Sequence, residues 1–258
     1  MTKELFIKDV MAKPVTIAKS AKMTEALDKM LDEGIDPLIA THATGVAGTV
    51  SRKAIAQKLG SKQNSGIAPA AIHVSSVVEE DFTSIYPDES INVLVPLLQH
   101  YKLVVVYDAD HKLIGQVGAG DLLRKVQPDG ELGMAMEPAV TIEADERVVH
   151  LRRRMLDDNI TRFVVTENDK IVGIVTETDV AVSMRKFREA VTGKHQDHRI
   201  RNLLVRDIMS SPVISIDIGA DVSDVVDLML KKKISSIPVV KKEKIVGMVT
   251  RRSLIDAL

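Results

Sequence analysis

Apolar positions along the chain fall into a pattern that returns four times. Met23, Ala26, Leu27, Met30 and Leu31 are spaced as one face of a helix, as are Ile91, Leu94, Val95 and Leu98, then Val148, Leu151 and Met155, then Val222, Val225, Val226, Met229 and Leu230. A 3.6-residue period of this kind predicts four amphipathic helices, each with one buried side. Each helix leads into a short apolar run, at residues 38–40, 104–106, 163–165 and 237–240. Polar turns at residues 108–112, 167–170 and 241–244 predict hairpins into a second strand, which carries Gly48, Gly115, Gly173 or Gly247. A last helix closes each unit. Three residues ahead of the helical faces stand Ser20, Asp88, Asp145 and Gly219, residue types expected as N-caps.

The openings repeat as well. Ile7-Lys8-Asp9-Val10-Met11, followed by Pro14-Val15, returns as Val205-Arg206-Asp207-Ile208-Met209, followed by Pro212-Val213. The expected units are residues 1–60, 72–127, 133–188 and 200–258. Polar, turn-forming linkers are expected at 61–66, 127–130 and 192–198, the middle one separating two pairs of units.

Composition narrows the function. With 35 basic and 36 acidic residues the net charge of -1 offers nucleic acid or an anionic membrane no global attraction. Aromatics make up 3% with no Trp, so a base-stacking platform is not expected. The chain has no Cys, which excludes disulfides, thiolate metal sites and a Cys nucleophile. No run of about eighteen apolar residues occurs, and the first residues form no apolar leader, so a cytoplasmic protein is expected.

Element order, the D-h-M-x-x-P-V opening and the G-h-h-T-x-x-D ending, most complete as Gly173-Ile174-Val175-Thr176-Glu177-Thr178-Asp179, together resemble the CBS domain over nearly the whole chain. The resemblance implies a mixed α+β fold of tandem repeats, each a small sheet with two packing helices. Units then pair through their strands into Bateman modules, and two pairs form a disc. It is similar in plan to the gamma subunit of the AMP-activated kinase and to archaeal stand-alone four-repeat proteins. The implied function is non-catalytic sensing of an adenine nucleotide (AMP, ADP or ATP) or an S-adenosyl-type ligand, in a homodimer that regulates another protein.

In the third ending, Gly173 is expected to let a ligand near the backbone, and the resemblance implies that Thr176 and Asp179 hold phosphate and ribose. The alternative is a capping Thr176 with a solvated Asp179. The fourth ending keeps Thr250 but has Ser253 in place of the acid, the first has Ala54 there, and the second keeps Asp121 without the hydroxyl. Hydroxyls at Thr16, Ser84, Thr141 and Ser215 occupy one register ahead of each helix, where the resemblance implies adenine contacts and local backbone bonding is the alternative. It also implies contacts from Ile160, Arg162 and Phe163, from Lys102 toward the first site and Arg162 toward the fourth, and from Ser235 and Ser236 toward the third. No metal site is expected: His195 and His198 stand in a linker without carboxylates around them. Arg152-Arg153-Arg154 and Lys231-Lys232-Lys233 are expected on solvated helix faces. The competing reading is an interaction scaffold with degenerate, empty sites. An enzyme is not expected, since no catalytic constellation can be placed.

Overall fold

The computed structural model describes residues 4–61, 67–190 and 202–258; His195, His198 and most of two expected linkers lie outside them. After a short helix, α1 (Ile7–Val10), four units follow one plan. Unit 1 runs β1 (Thr16–Ala18), α2 (Met23–Glu33), β2 (Leu38–His42), β3 (Gly45–Val50) and α3 (Arg52–Gly60). Unit 2 runs β4 (Thr83–Ile85), α4 (Leu94–His100), β5 (Leu103–Tyr107), β6 (Leu113–Gly118) and α5 (Ala119–Leu123). Unit 3 opens on β7 (Met136–Glu137) and continues with β8 (Thr141–Glu143), α6 (Val148–Asp157), β9 (Arg162–Glu167), β10 (Lys170–Thr176) and α7 (Glu177–Ala190). Unit 4 consists of β11 (Ile216–Asp217), α8 (Val222–Lys231), β12 (Ser236–Lys241), β13 (Lys244–Thr250) and α9 (Arg251–Asp256). In each sheet the first strand lies parallel to the second and the third closes an antiparallel hairpin. The tight turns at 168–169 and 242–243 hold two successive residues at positive φ, the geometry a twisted two-residue hairpin requires.

Units pair by exchanging their opening segments. Ala12, ahead of unit 1, bridges Gln116 of unit 2, while Glu79, ahead of unit 2, bridges Thr49 of unit 1. Units 3 and 4 do the same: β7 joins β13, and Ser210 bridges Ile174. Residues 127–130 lie in the chain between these two exchanged pairs. Sheet faces meet inside the first pair, where Ile39, Leu103 and Val105 are buried together against Phe82 and Tyr107. The pairs meet through helices, α3 on α7 and α9 on α4 and α5. Two large cores run across the pair boundary, one of units 1 and 3 (Leu27, Met30, Ile55, Leu151, Phe163, Met184) and one of units 2 and 4 (Leu94, Leu122, Val226, Met229, Leu254). At about 1.5–3 kcal/mol for each large apolar side chain, these cores are the main force holding the four units as one body.

Two expectations are corrected here. The helices do not start on Ser20, Asp88, Asp145 or Gly219; the N-cap positions are Lys22, Arg147 and Asp221 for α2, α6 and α8, none with a side-chain cap, and Ser90 for the turn leading into α4. These N-cap residues bridge, in the same order, His73, Leu204, Glu131 and Phe6 of the partner unit's opening segment. The first free N–H groups find carbonyls of that segment, as Met23 N–H does at Ile72 and Val148 N–H at Leu203, both at 2.8 Å. Backbone from the partner thus does the capping that side chains were expected to do. The hairpin glycines, in turn, face protein rather than ligand. A Cβ on Gly173 would stand 2.6 Å from Met209 Sδ, one on Gly115 2.9 Å from Met11 Sδ, and one on Gly247 2.8 Å from Met136. Gly48, at φ +141, would meet the Glu79 carbonyl at 2.3 Å. At Gly115 and Gly173 the Met of an opening motif and the Gly of an ending are therefore two halves of one inter-unit contact.

Candidate functional site

The third ending forms the first turn of α7, and its residues divide by direction. Thr176 and Asp179 close a reciprocal cap: Asp179 Oδ2 accepts from the Thr176 N–H (2.8 Å) and from its hydroxyl (2.6 Å), while Thr176 Oγ1 accepts from the Thr178 N–H (3.2 Å). The second carboxylate oxygen, Oδ1, accepts from the hydroxyl of Ser210 (2.8 Å), which the exchanged opening of unit 4 brings in. Beside this acid lies an open cavity of about 480 Å³, lined by Asp179, Val182, Ser183, Lys186 and Phe187 on one face of α7 and by residues 207–210 opposite. Its volume falls in the range of small-molecule sites. Its charged groups are two acids, Asp179 and Asp207, and one base, Lys186.

Glu177 and Thr178 point the other way, into the boundary between pairs. Arg52 of unit 1 donates to Thr178 Oγ1 (3.2 Å) and also to the Met30 and Ile35 carbonyls at the end of α2. Lys102 of unit 2 lies 3.6 Å from Glu177 Oε2 and 3.4 Å from Asp36 Oδ2. Burial pushes the Glu177 carboxyl above the usual carboxylate range, against the pull of Lys102, Lys53 and Arg162. Burial also pulls the Lys102 ammonium down, but Asp36 and Glu177 outweigh it and the net shift is upward. One turn of helix thus carries a candidate ligand end on one side and contacts to units 1 and 2 on the other.

The remaining sequence-derived positions scatter. Arg162 does reach unit 4, donating to the Ser235 carbonyl (3.3 Å); burial lowers its pKa without discharging a guanidinium. Lys102 reaches unit 1 at Asp36, and Arg162 lies near Glu137 and Glu177, so each base stands beside acids. Phe163 is fully buried in the core beneath the Arg154 guanidinium, 4.7 Å from its ring centre, so it presents no face to a ligand. Thr250 is 2% exposed, its hydroxyl accepting from the Ser253 N–H (3.0 Å), and Ser236 is buried as well. Asp121 accepts from the Gly118 N–H (2.9 Å) and from Arg124 (2.6 Å). Thr16, Thr141 and Ser215 stand ahead of their helices, the carbonyls of Thr16 and Thr141 receiving Lys29 and Arg154; Ile160 packs on the core edge, and Ser235 is exposed. Sequence reasoning missed Ser210, Lys186, Glu177 and Arg52. For Ser210 a signal existed, because it follows the Met of the opening motif where unit 1 has Ala12.

Among the described residues no group of three or more His, Asp or Glu side chains is placed to hold a metal ion, and no helix is long and apolar enough to cross a membrane. In fold the chain is similar to protein MJ1225 from Methanocaldococcus jannaschii, described as a candidate archaeal homolog of g-AMPK: TM-score 0.80, 20% identity, 98% of this chain and 99% of that one covered. In sequence it is 25% identical over 272 residues to the uncharacterized protein MJ1404 of the same organism, covering 98% of this chain. It is 31% identical over 125 residues, 48% of its length, to the uncharacterized protein MK0525 from Methanopyrus kandleri. The chain spans 60% and 59% of the length of these two relatives. The CBS domain family matches four times, over residues 7–61, 74–128, 130–186 and 205–258, one match to each structural unit, and the chain belongs to the CBS-domain family.

Proposed function

We propose that this protein is a non-catalytic regulatory sensor that takes up an adenosine-containing ligand at the start of α7, with the ribose on Asp179. CBS-domain proteins are generally regulatory and ligand-binding. The observation that carries the reading is Asp179 itself: a half-buried carboxylate that lines the 480 Å³ cavity and whose Oδ1 accepts from a hydroxyl, the group a ribose would offer. The surrounding charges refine the ligand. Two acids against one base disfavour a polyphosphate in that cavity, and Lys102 and Arg162 are already balanced by carboxylates. S-adenosylmethionine, methylthioadenosine or AMP fit this balance better than ATP. The output is a shift in pair packing, since Glu177 and Thr178 share the turn with the ligand residues and touch units 1 and 2.

The scaffold reading keeps one observation in its favour, the occupation of Asp121 by Arg124. Unfolding temperature of the purified chain with AMP, ADP, ATP or S-adenosylmethionine, repeated on Asp179→Ala, separates the two. At a ligand concentration of about 100 times Kd the expected stabilisation is about 2.7 kcal/mol, absent in the variant. No shift with any ligand at millimolar concentration would leave the scaffold.

A further inference from the structure

Asp179, which lines the cavity, already holds a hydroxyl on one of its carboxylate oxygens. The cap uses Oδ2 twice, through the backbone N–H and the hydroxyl of Thr176, so Oδ1 is the oxygen left to recognise a ligand. Ser210 Oγ sits on it at 2.8 Å. Ser210 comes from unit 4, is exposed, and lines the same cavity as Asp179. Its backbone is clipped to Ile174 in both directions, Ser210 N–H to the Ile174 carbonyl at 2.8 Å and Ile174 N–H to the Ser210 carbonyl at 3.0 Å. The residue before it, Met209, is seated against Gly173. Main chain therefore stays in place while the side chain alone is free to turn among its staggered rotamers.

We propose that Ser210 is an internal competitor for the ligand, its hydroxyl filling the ribose position of Asp179 in the empty protein and swinging into solvent when a diol arrives. This deepens the sensor reading and rests on it. A carboxylate oxygen can accept two hydrogen bonds, and with Oδ2 filled by the cap both hydroxyls of a vicinal diol need both positions on Oδ1, one of which Ser210 occupies. Displacement is cheap because the exposed hydroxyl exchanges a protein partner for water, so the competitor tunes affinity rather than blocking the site. It also ties occupancy of unit 3 to a side chain of unit 4, giving the pair a local record of whether the site is filled.

The competitor has an unusual signature: removing a protein hydroxyl from a polar site tightens binding. Ser210→Ala is expected to fold normally, since unit 1 carries Ala12 at the matching place in its own exchanged segment. Calorimetric titration with S-adenosylmethionine, AMP and adenosine should show about three- to ten-fold tighter binding in Ser210→Ala, the size of an ordinary hydrogen bond after its exchange with water. 2′,3′-Dideoxyadenosine, which has no diol, should gain nothing. Binding by Ser210→Ala where the unaltered protein binds nothing would also support the competitor. Equal affinities would overturn it and leave the sensor reading standing, as would weaker binding by the variant, which would make Ser210 a ligand contact. Absence of binding by both proteins to all three ligands would overturn competitor and sensor together.

Discussion

In unit 3 the carboxylate of Asp179 caps α7 through one oxygen and holds Ser210 through the other; in unit 2 the carboxylate of Asp121 caps α5 in the same way but gives its second oxygen to Arg124, one turn further along the chain. The acid and its bond from the cap N–H are common to both, although Gly118 lacks the hydroxyl of Thr176. What differs is supplied by neighbours: the partner's opening segment brings Ser210 to one and Ala12 to the other, and the position three residues on is Val182 in one and Arg124 in the other. The next residue after the cap differs too, Glu177 reaching across to Lys102 where unit 2 has Ala119. The same acid thus stands in two settings: its second oxygen is held by an exposed hydroxyl beside a cavity in unit 3 and by an arginine in unit 2.

The largest expected effect comes from disturbing the exchange that places Ser210. Gly173→Ala would put a Cβ 2.6 Å from Met209 Sδ and 3.0 Å from the Ser210 carbonyl; Gly115→Ala is looser, at 2.9 Å from Met11 Sδ and 3.3 Å from the Ala12 carbonyl. Overpacking of this kind costs about 1–3 kcal/mol, and chemical denaturation should place Gly173→Ala at the upper end and Gly115→Ala at the lower. Equal costs would mean that the two exchanged segments are seated alike and that the contrast between units lies elsewhere.

A smaller effect, with a pH signature, is expected at Glu177. Its carboxyl is raised by burial among Lys102, Lys53, Arg162 and Asp36, so the folded state holds its proton more tightly than the unfolded state, in which the value is near 4.5. Stability then falls as pH rises from about 4.5 through the folded value. Glu177→Gln, which cannot ionise, should be more stable than the unaltered protein at pH 7, with the difference shrinking toward pH 4; Lys102 stays charged in both states over that range. Denaturation midpoints at the two pH values check this, and a variant less stable at pH 7 than at pH 4, relative to the unaltered protein, would show that the contact to Lys102 outweighs burial.

Much of the fold was legible because its signals are local. Helix faces at 3.6-residue spacing and turn residues ahead of the second strands depend only on near neighbours, and all four units follow them. The exchange of opening segments was not legible, since Ser210 and Ile174, or Ala12 and Gln116, meet across long stretches of sequence. That single omission accounts for the misplaced N-caps, because the partner's backbone does the capping, and for the misread glycines, because the object pressing on them is the other unit's opening segment. The burial of the Phe163 side chain was not legible either: the motif marks a strand start, but burial follows from the core shared by units 1 and 3. Thr176 and Asp179 were legible as a pair; the hydroxyl on Asp179 was not.

The smallest expected effect tests whether unit 2 can be given the arrangement of unit 3. Arg124 is 58% exposed, so its pair with Asp121 should contribute less than about 1 kcal/mol and less still in about 0.5 M salt. Arg124→Ala removes that contribution and frees the second oxygen of Asp121. Adding Ala12→Ser then offers a hydroxyl from the residue that bridges Gln116, five positions ahead of Asp121, as Ser210 bridges Ile174, five positions ahead of Asp179. The double variant should recover stability to within about 0.5 kcal/mol of the unaltered protein, because a hydroxyl bound to a carboxylate replaces a screened ion pair of similar strength. Full additivity of the two substitutions, with no recovery, would show that the introduced hydroxyl does not reach Asp121 and that the units differ in backbone placement as well as in side chains. Recovery would show that two side-chain differences, Ser210 against Ala12 and Val182 against Arg124, suffice to set what holds the second oxygen of the acid.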